Sequence, residues 1–188
     1  MTELQGLLVR LVRILDEADV PFMIAGSFAS AAHGLPRTTQ DVDVVIDPPG
    51  AHALEALVRA MPPHEYYVDA DTAYDALRRR SMFNVVDQAS GWKIDFIICK
   101  NRPFSRGEFA RRTQLLMLDV PVFVASAEDT VVAKLEWSKQ MGGSERQRRD
   151  VAGVIASVGD QLDRDYIERW VRELDVADEW TEAQKTSI

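Results

Sequence analysis

The spacing of apolar positions changes period twice in the first third of the chain. Over residues 3–18, Leu4, Leu7, Leu8, Leu11, Leu15 and Ala18 recur at intervals of three and four, which predicts an amphipathic helix. Thr2 and Gln5 have the spacing of a capping box at its start. Pro21 ends the connection, and Phe22-Met23-Ile24-Ala25 reads as a short buried strand. Gly26-Ser27 makes a turn into a short helix over residues 28–33, which Gly34-Leu35-Pro36 stops. Over 42–47 the period becomes two. Val42, Val44 and Ile46 point to one side, and Asp41, Asp43 and Val45 to the other.

Asp47-Pro48-Pro49-Gly50 is a turn, and 51–60 a helix carrying Leu54, Leu57 and Val58. Tyr66-Tyr67-Val68 reads as an edge strand, followed by a helical turn around 73–80. Residues 83–86 and 92–99 form a hairpin about Gln88-Ala89-Ser90-Gly91. Short strands at 115–118 and 120–124 follow, and Pro121 argues for an edge position. After Val124 the period is helical. Ser126 with Asp129 caps a helix to about Gln140, and Gly142-Gly143 breaks it. Ser144 with Gln147 has capping-box spacing for a helix to about Val158. Asp163 caps a third, with Ile167, Trp170, Val171 and Leu174 on its apolar face. From Asp178 the tail is helical or frayed. The pattern predicts an α/β (α+β) core over 1–125, a mixed sheet flanked by helices, and a helical region over 126–188 packed on it.

Composition narrows the chemistry. A hydrophobic fraction of 46% over 188 residues supports a core without disulfides or zinc. The single Cys99, in an apolar run, excludes an intrachain disulfide framework and reads as a buried structural thiol. A net charge of −8 gives no support to a general nucleic-acid coat. Basic clusters stand at Arg78-Arg79-Arg80, at Arg102 with Arg106 and Arg111-Arg112, and at Arg146 with Arg148-Arg149. They read as solvated faces or as a platform for an anionic substrate. The first residues lack a basic n-region, and no stretch approaches the ~18 apolar residues of a membrane span. A cytoplasmic setting with no membrane partner is the expectation.

The polar positions inside the strands carry the candidate chemistry. Asp41 and Asp43 leave one face of a strand, where two like charges are unfavourable without a counter-ion. Asp95 stands alone in Lys93-Ile94-Asp95-Phe96-Ile97-Ile98. If its strand neighbours 42–47, Asp95 reaches the same cation and serves as ligand or as general base toward a hydroxyl. Magnesium suits such oxygen ligands. Gly26 permits close backbone approach, and the freed N–H groups with the Ser27 hydroxyl suit phosphate oxygens.

Strand, Gly-Ser, helix, strand with Asp-x-Asp, then a later strand with one Asp: in this order the chain resembles the nucleotidyltransferase superfamily, the polymerase-beta-like fold. Gly26, Ser27, Asp41, Asp43 and Asp95 carry the resemblance. Arg37-Thr38-Thr39-Gln40-Asp41-Val42-Asp43, Ala133-Lys134-Leu135 and Arg148-Arg149-Asp150 are similar to the toxin-like enzymes of type IV abortive-infection systems. A second acidic residue expected three positions after Asp150 is absent, since Gly153 stands there. The resemblance implies Mg²⁺ or Mn²⁺ at Asp41, Asp43 and Asp95, with an NTP as donor. It assigns nucleotide binding to Gly26, Ser27, Arg37, Lys134 and Asp150. The acceptor is left open between tRNA or other RNA, protein and a small molecule such as a hydroxyl-rich drug, and a cognate antitoxin is a possible partner. The alternative is a non-catalytic nucleotide-binding or antitoxin-type protein on the same fold.

From the residues alone, Lys134 reads equally as a snorkelling surface lysine or a triphosphate ligand. Asp150 has Arg146 four positions earlier as an ion-pair candidate. Arg37 suits a phosphate or a carboxylate. His33 reads as a helix C-terminal cap, and the four tryptophans as core or half-buried aromatics.

Overall fold

The computed structural model describes residues 2–187. The chain forms two compact units. One takes in the residues up to Ile24 together with Thr39–Val124; the other takes in Ala25–Thr38 and the chain from Ala125 on.

The first unit contains the sheet. Its strands are β1 (Phe22–Ile24), β2 (Asp41–Ile46), β3 (Tyr66–Val68), β4 (Met82–Asp87), β5 (Lys93–Ile98), β6 (Thr113–Met117) and β7 (Val120–Val124). They lie in the order β3-β4-β5-β2-β1-β7-β6. β2 runs parallel to β5 and β1 parallel to β7, while the other neighbours are antiparallel. A mixed α/β architecture is therefore observed, as the alternating periods require.

Helices α1 (Glu3–Glu17), α3 (Ala51–Arg59), α4 (Ala70–Arg79) and α5 (Pro103–Ala110) belong to the same unit. On α1, Leu7, Leu8, Leu11, Ile14 and Leu15 are buried, each contributing roughly 1.5–3 kcal/mol of transfer free energy. The core face of the sheet carries Val42, Val44, Ile46, Ile94, Phe96, Ile98, Phe83 and Val85, all buried. Phe83 and Phe96 are register partners, and their rings stack at 5.2 Å.

The second unit is helical: α2 (Gly26–His33), α6 (Ala127–Gln140), α7 (Glu145–Val158), α8 (Arg164–Glu173) and α9 (Ala177–Lys185). α2 packs on α6 and α7, and α6 on α7, α8 and α9. The α2–α7 contact is close because of Gly34. A Cβ there would stand 2.8 Å from Val154 N and 2.9 Å from both Gly153 C and Ser30 O, all backbone atoms.

Three local expectations change. The helical turn around 73–80 is a full helix, α4, because Asp69 accepts from Thr72 N and starts it earlier. β7 is not an edge strand, since β6 lies outside it. β1 meets β7 only at Ile24 and Val124, so Pro121 occupies a stretch with β6 as its one neighbour and needs no second ladder bond. Both capping boxes are half-made. Thr2 accepts from Gln5 N, but the Gln5 amide donates to Leu118 O at 2.9 Å. Ser144 accepts from Gln147 N, and Gln147 Oε1 is buried without a partner. The tail after Asp178 is the helix α9.

Candidate active site

The parallel pairing of β2 and β5 sets the register of the acidic residues. Asp43 is the partner of Asp95, and Asp41 the partner of Lys93. Side chains at register positions share a face, and i and i+2 share it as well. Asp41, Asp43, Lys93 and Asp95 therefore stand together on the face opposite the Phe83–Phe96 layer. Asn84 of β4 extends the row, since it is the partner of Asp95.

Contacts on this face centre on Asp95, which is 7% exposed. Lys93 Nζ lies 2.9 Å from its carboxylate oxygens, and the Asn84 amide donates to Oδ1. Lys93 is held above the ordinary lysine value of 10.5 by that hydrogen bond first; desolvation opposes the rise, and the charges of Asp95, Asp41 and Asp43 add to it. An ammonium amid three carboxylates relieves part of their repulsion. Among the described residues no three His, Cys, Asp or Glu side chains are gathered as a metal cluster. The Asp95 carboxylate faces Lys93 and Asn84 instead.

Lys93 and Asn84 are absent from the sequence-level assignment. Lys93 was legible, since a residue two before Asp95 on a strand shares its face. Asn84 required the hairpin register, which the turn at 88–91 fixes only once its geometry is known.

The remaining assigned residues lie in the helical unit, where four of them are joined. Lys134, only 5% exposed, pairs with Asp150 at 2.6 Å. Arg37 Nε stands 3.3 Å from the same carboxylate, and its Nη2 donates to Ser27 Oγ. Asp150 is thus balanced by Lys134 and Arg37, from α6 and the segment after α2, and not by Arg146 on its own helix. The surface-lysine reading of Lys134 fails because α7 packs over it. Gly26 has φ 56, the left-handed region that favours glycine, at the start of α2. His33 Nε2 lies 2.7 Å from Ala125 O, which accounts for it without catalysis. Cys99 is buried, and desolvation pushes its thiol above the usual range.

No protein-family model matches the sequence, and no curated protein matches it. Solved structures do. The antibiotic-resistance factor ANT(2'')-Ia superposes with a TM-score of 0.62 at 14% identity, covering 98% of each chain. An antigenic nucleotidyltransferase-like protein from Paracoccidioides brasiliensis gives 0.58 at 18%, over 99% of this chain and 94% of that one. The lincomycin-bound lincosamide antibiotic adenylyltransferase LnuA gives 0.54 at 9%, over 82% and 96%. The fold is that of a nucleotidyltransferase. In that fold the acidic row of β2 and β5 and the Gly26-Ser27 turn before it keep the order on which the sequence resemblance rests.

Proposed function

We propose that this protein is a metal-dependent nucleotidyltransferase that moves a nucleoside monophosphate from an NTP to an acceptor hydroxyl. One observation carries the reading: Asp43 and Asp95 are register partners on adjacent parallel strands, with Asp41 on the same face. The donor set is all oxygen and suits Mg²⁺ or Mn²⁺, with Asp41, Asp43 and Asp95 as the residues that would hold it. Such a cation, when bound, supplies charge neutralisation to the NTP phosphates.

The residues of the chain then have distinct tasks. Asp95 accepts the proton of the acceptor hydroxyl as its oxygen bonds to the α-phosphorus. The bond from that phosphorus to the bridging oxygen breaks, and pyrophosphate leaves. Lys93 is the counter-ion of the acidic row and neutralises part of the charge of the carboxylates that would hold the cation. Gly26 and Ser27 offer N–H and hydroxyl groups to phosphate oxygens. Lys134, Arg37 and Asp150 hold α6, α7 and the segment after α2 together and keep the Ser27 hydroxyl in place. The acceptor is RNA, protein or a small molecule, and a toxin-like role within a two-gene pair belongs to this same reading.

The test is transfer of label from α-labelled NTPs with Mg²⁺ to cell RNA, protein and hydroxyl-rich antibiotics. Asp43→Asn is expected to lower transfer at least about a hundredfold with the fold retained by circular dichroism. Absence of both NTP binding and transfer with all four nucleotides would overturn the proposal. Binding without transfer to any acceptor is the outcome of the second reading, a non-catalytic nucleotide binder or antitoxin-type partner. The engagement of Asp95 by Lys93 and Asn84 is what favours it.

A further inference from the structure

A sheet with one face packed on the core carries polar residues on the other. The acidic-row face departs from this rule toward its β3 edge. Register places Tyr67 beside Val86, Val86 beside Lys93 and Lys93 beside Asp41. The next row across the strands is Asn84, Asp95 and Asp43, and Met82 stands two positions before Asn84. All of these side chains leave the same face, since positions i and i+2 share it.

The apolar members are open to solvent. Tyr67 is 67% exposed and Met82 39%. Val86 is half-buried beside them. The adjacent Tyr66 serves the core face, where its hydroxyl receives Arg10 Nε at 3.3 Å. Tyr67 points the other way and meets no hydrogen-bond or ring partner among the described residues. Strand propensity accounts for a tyrosine or a valine taken singly. It does not account for three apolar side chains on an open face that borders a row of carboxylates.

Distance and charge define what fits there. Neighbouring strands lie about 4.8 Å apart, so Tyr67 stands roughly 10 Å from Lys93 across the sheet. Val86 is a diagonal neighbour of Asp95, at about 7–8 Å. A molecule of one or two rings laid on Tyr67 and Val86 spans this interval and brings a hydroxyl to Asp95. Asn84 donates its amide to Asp95 and offers its carbonyl oxygen to a second hydroxyl. The charged side chains in these rows are Asp41, Asp43 and Asp95 against Lys93, three negative and one positive. None of the residues that β3 and β4 place here is a cation. A phosphodiester chain or a carboxylate therefore finds no counter-ion beside the platform.

We propose that Tyr67 and Val86, with Met82 and Asn84 at their margin, form the acceptor subsite, and that it takes a small hydroxylated ring compound free of phosphate and carboxylate groups. The subsite presupposes the nucleotidyl transfer proposed for the acidic row and narrows the acceptor to one class. The apolar side of the ring lies on the Tyr67 face, a large and rigid contact area. Its hydroxyl points at Asp95.

The experiment is saturation-transfer NMR and titration of the full-length protein, without NTP, using para-nitrophenyl β-glucoside and the matched para-nitrophenyl β-glucuronide. The two differ by one carboxylate. The glucoside is expected to bind at least about threefold more tightly, because the glucuronide brings a negative charge to a face already negative. Tyr67→Ala should weaken glucoside binding about tenfold, while Tyr67→Phe retains it, since the ring and not the hydroxyl is the platform. Tyr67 is exposed on an edge strand, so neither change should move the melting temperature by more than about 2 °C. Equal affinity for the two glycosides, undiminished binding in Tyr67→Ala, or no saturation of the glucoside overturns the proposal. Tighter binding of a short single-stranded RNA than of the glucoside also overturns it, in favour of an RNA acceptor. Titration of the same protein with the four NTPs and Mg²⁺ separates two failures. NTP bound with the glucoside unbound removes the subsite alone, and loss of both removes the transfer reading with it.

Discussion

Lys93 and Lys134 are both lysines paired with aspartate, but their environments give them opposite roles. Lys93 is 41% exposed at its side chain and neutralises a row of acids that a divalent cation would also neutralise. Lys93→Met is expected to lower the melting temperature without metal and to enlarge the rise that Mg²⁺ produces, because the metal no longer competes with an ammonium. An unchanged Mg²⁺ response would remove Lys93 from this role. The pH dependence follows from its raised value. The stability it adds is present below the ordinary lysine value of 10.5 and is lost as pH rises through the higher folded value. The difference in melting temperature between wild type and Lys93→Met should be flat from neutral pH to about 10 and shrink above it. Lys134 is buried, and removing it leaves Asp150 with Arg37 alone. Lys134→Met should cost about 3 kcal/mol in urea unfolding, and adding Asp150→Leu should recover much of it. Full additivity of the two single changes would contradict a shared pair.

At the scale of elements, caps and close approaches dominate. Ser126 accepts from Asp129 N at the start of α6, so Ser126→Ala should cost about 1 kcal/mol. Gly34→Ala should cost about 1–3 kcal/mol, since the three atoms its Cβ meets are backbone and cannot rotate away. Urea midpoints measure both. The same comparison explains what the sequence made legible. Periods of two and of three to four are local, so β2, β5, α1, α6 and α7 fall close to their expected bounds. The common face of Asp41 and Asp43 is also local. The adjacency of β2 and β5 is not: it was a condition attached to Asp95, and only the sheet order supplies it. Arg37, Lys134 and Asp150 are far apart in sequence, and their mutual pairing has no local signature. Leu118 and Asp119, at φ 49 and 63, close the β6–β7 hairpin without the usual glycine, which left the strand bounds there soft.

For the molecule as a whole, the sheet has one open end that is weakly protected. β6 is its last strand, its sequence Thr113-Gln114-Leu115-Leu116-Met117 carries no charge, and Leu116 is 75% exposed. Unpaired edges of this kind recruit further strands. Leu116→Lys is expected to reduce concentration-dependent association in sedimentation velocity while leaving the melting temperature within about 2 °C, because a single exposed change is worth little. Among the described residues no helix is long and apolar enough to cross a membrane. The β4–β5 turn has a wider consequence. Asp87 N bonds Trp92 O at 2.9 Å, Gly91 N bonds Asp87 O at 2.8 Å, and the loop between the strands is held at one length. Losing a single codon there would slide β5 by one step against β4, carrying Phe96 to the place of Asp95 and sending the acid inward to the place of Ile94, opposite Val85. The length of a surface loop is thus as binding a constraint on any chemistry here as the identity of the aspartates themselves.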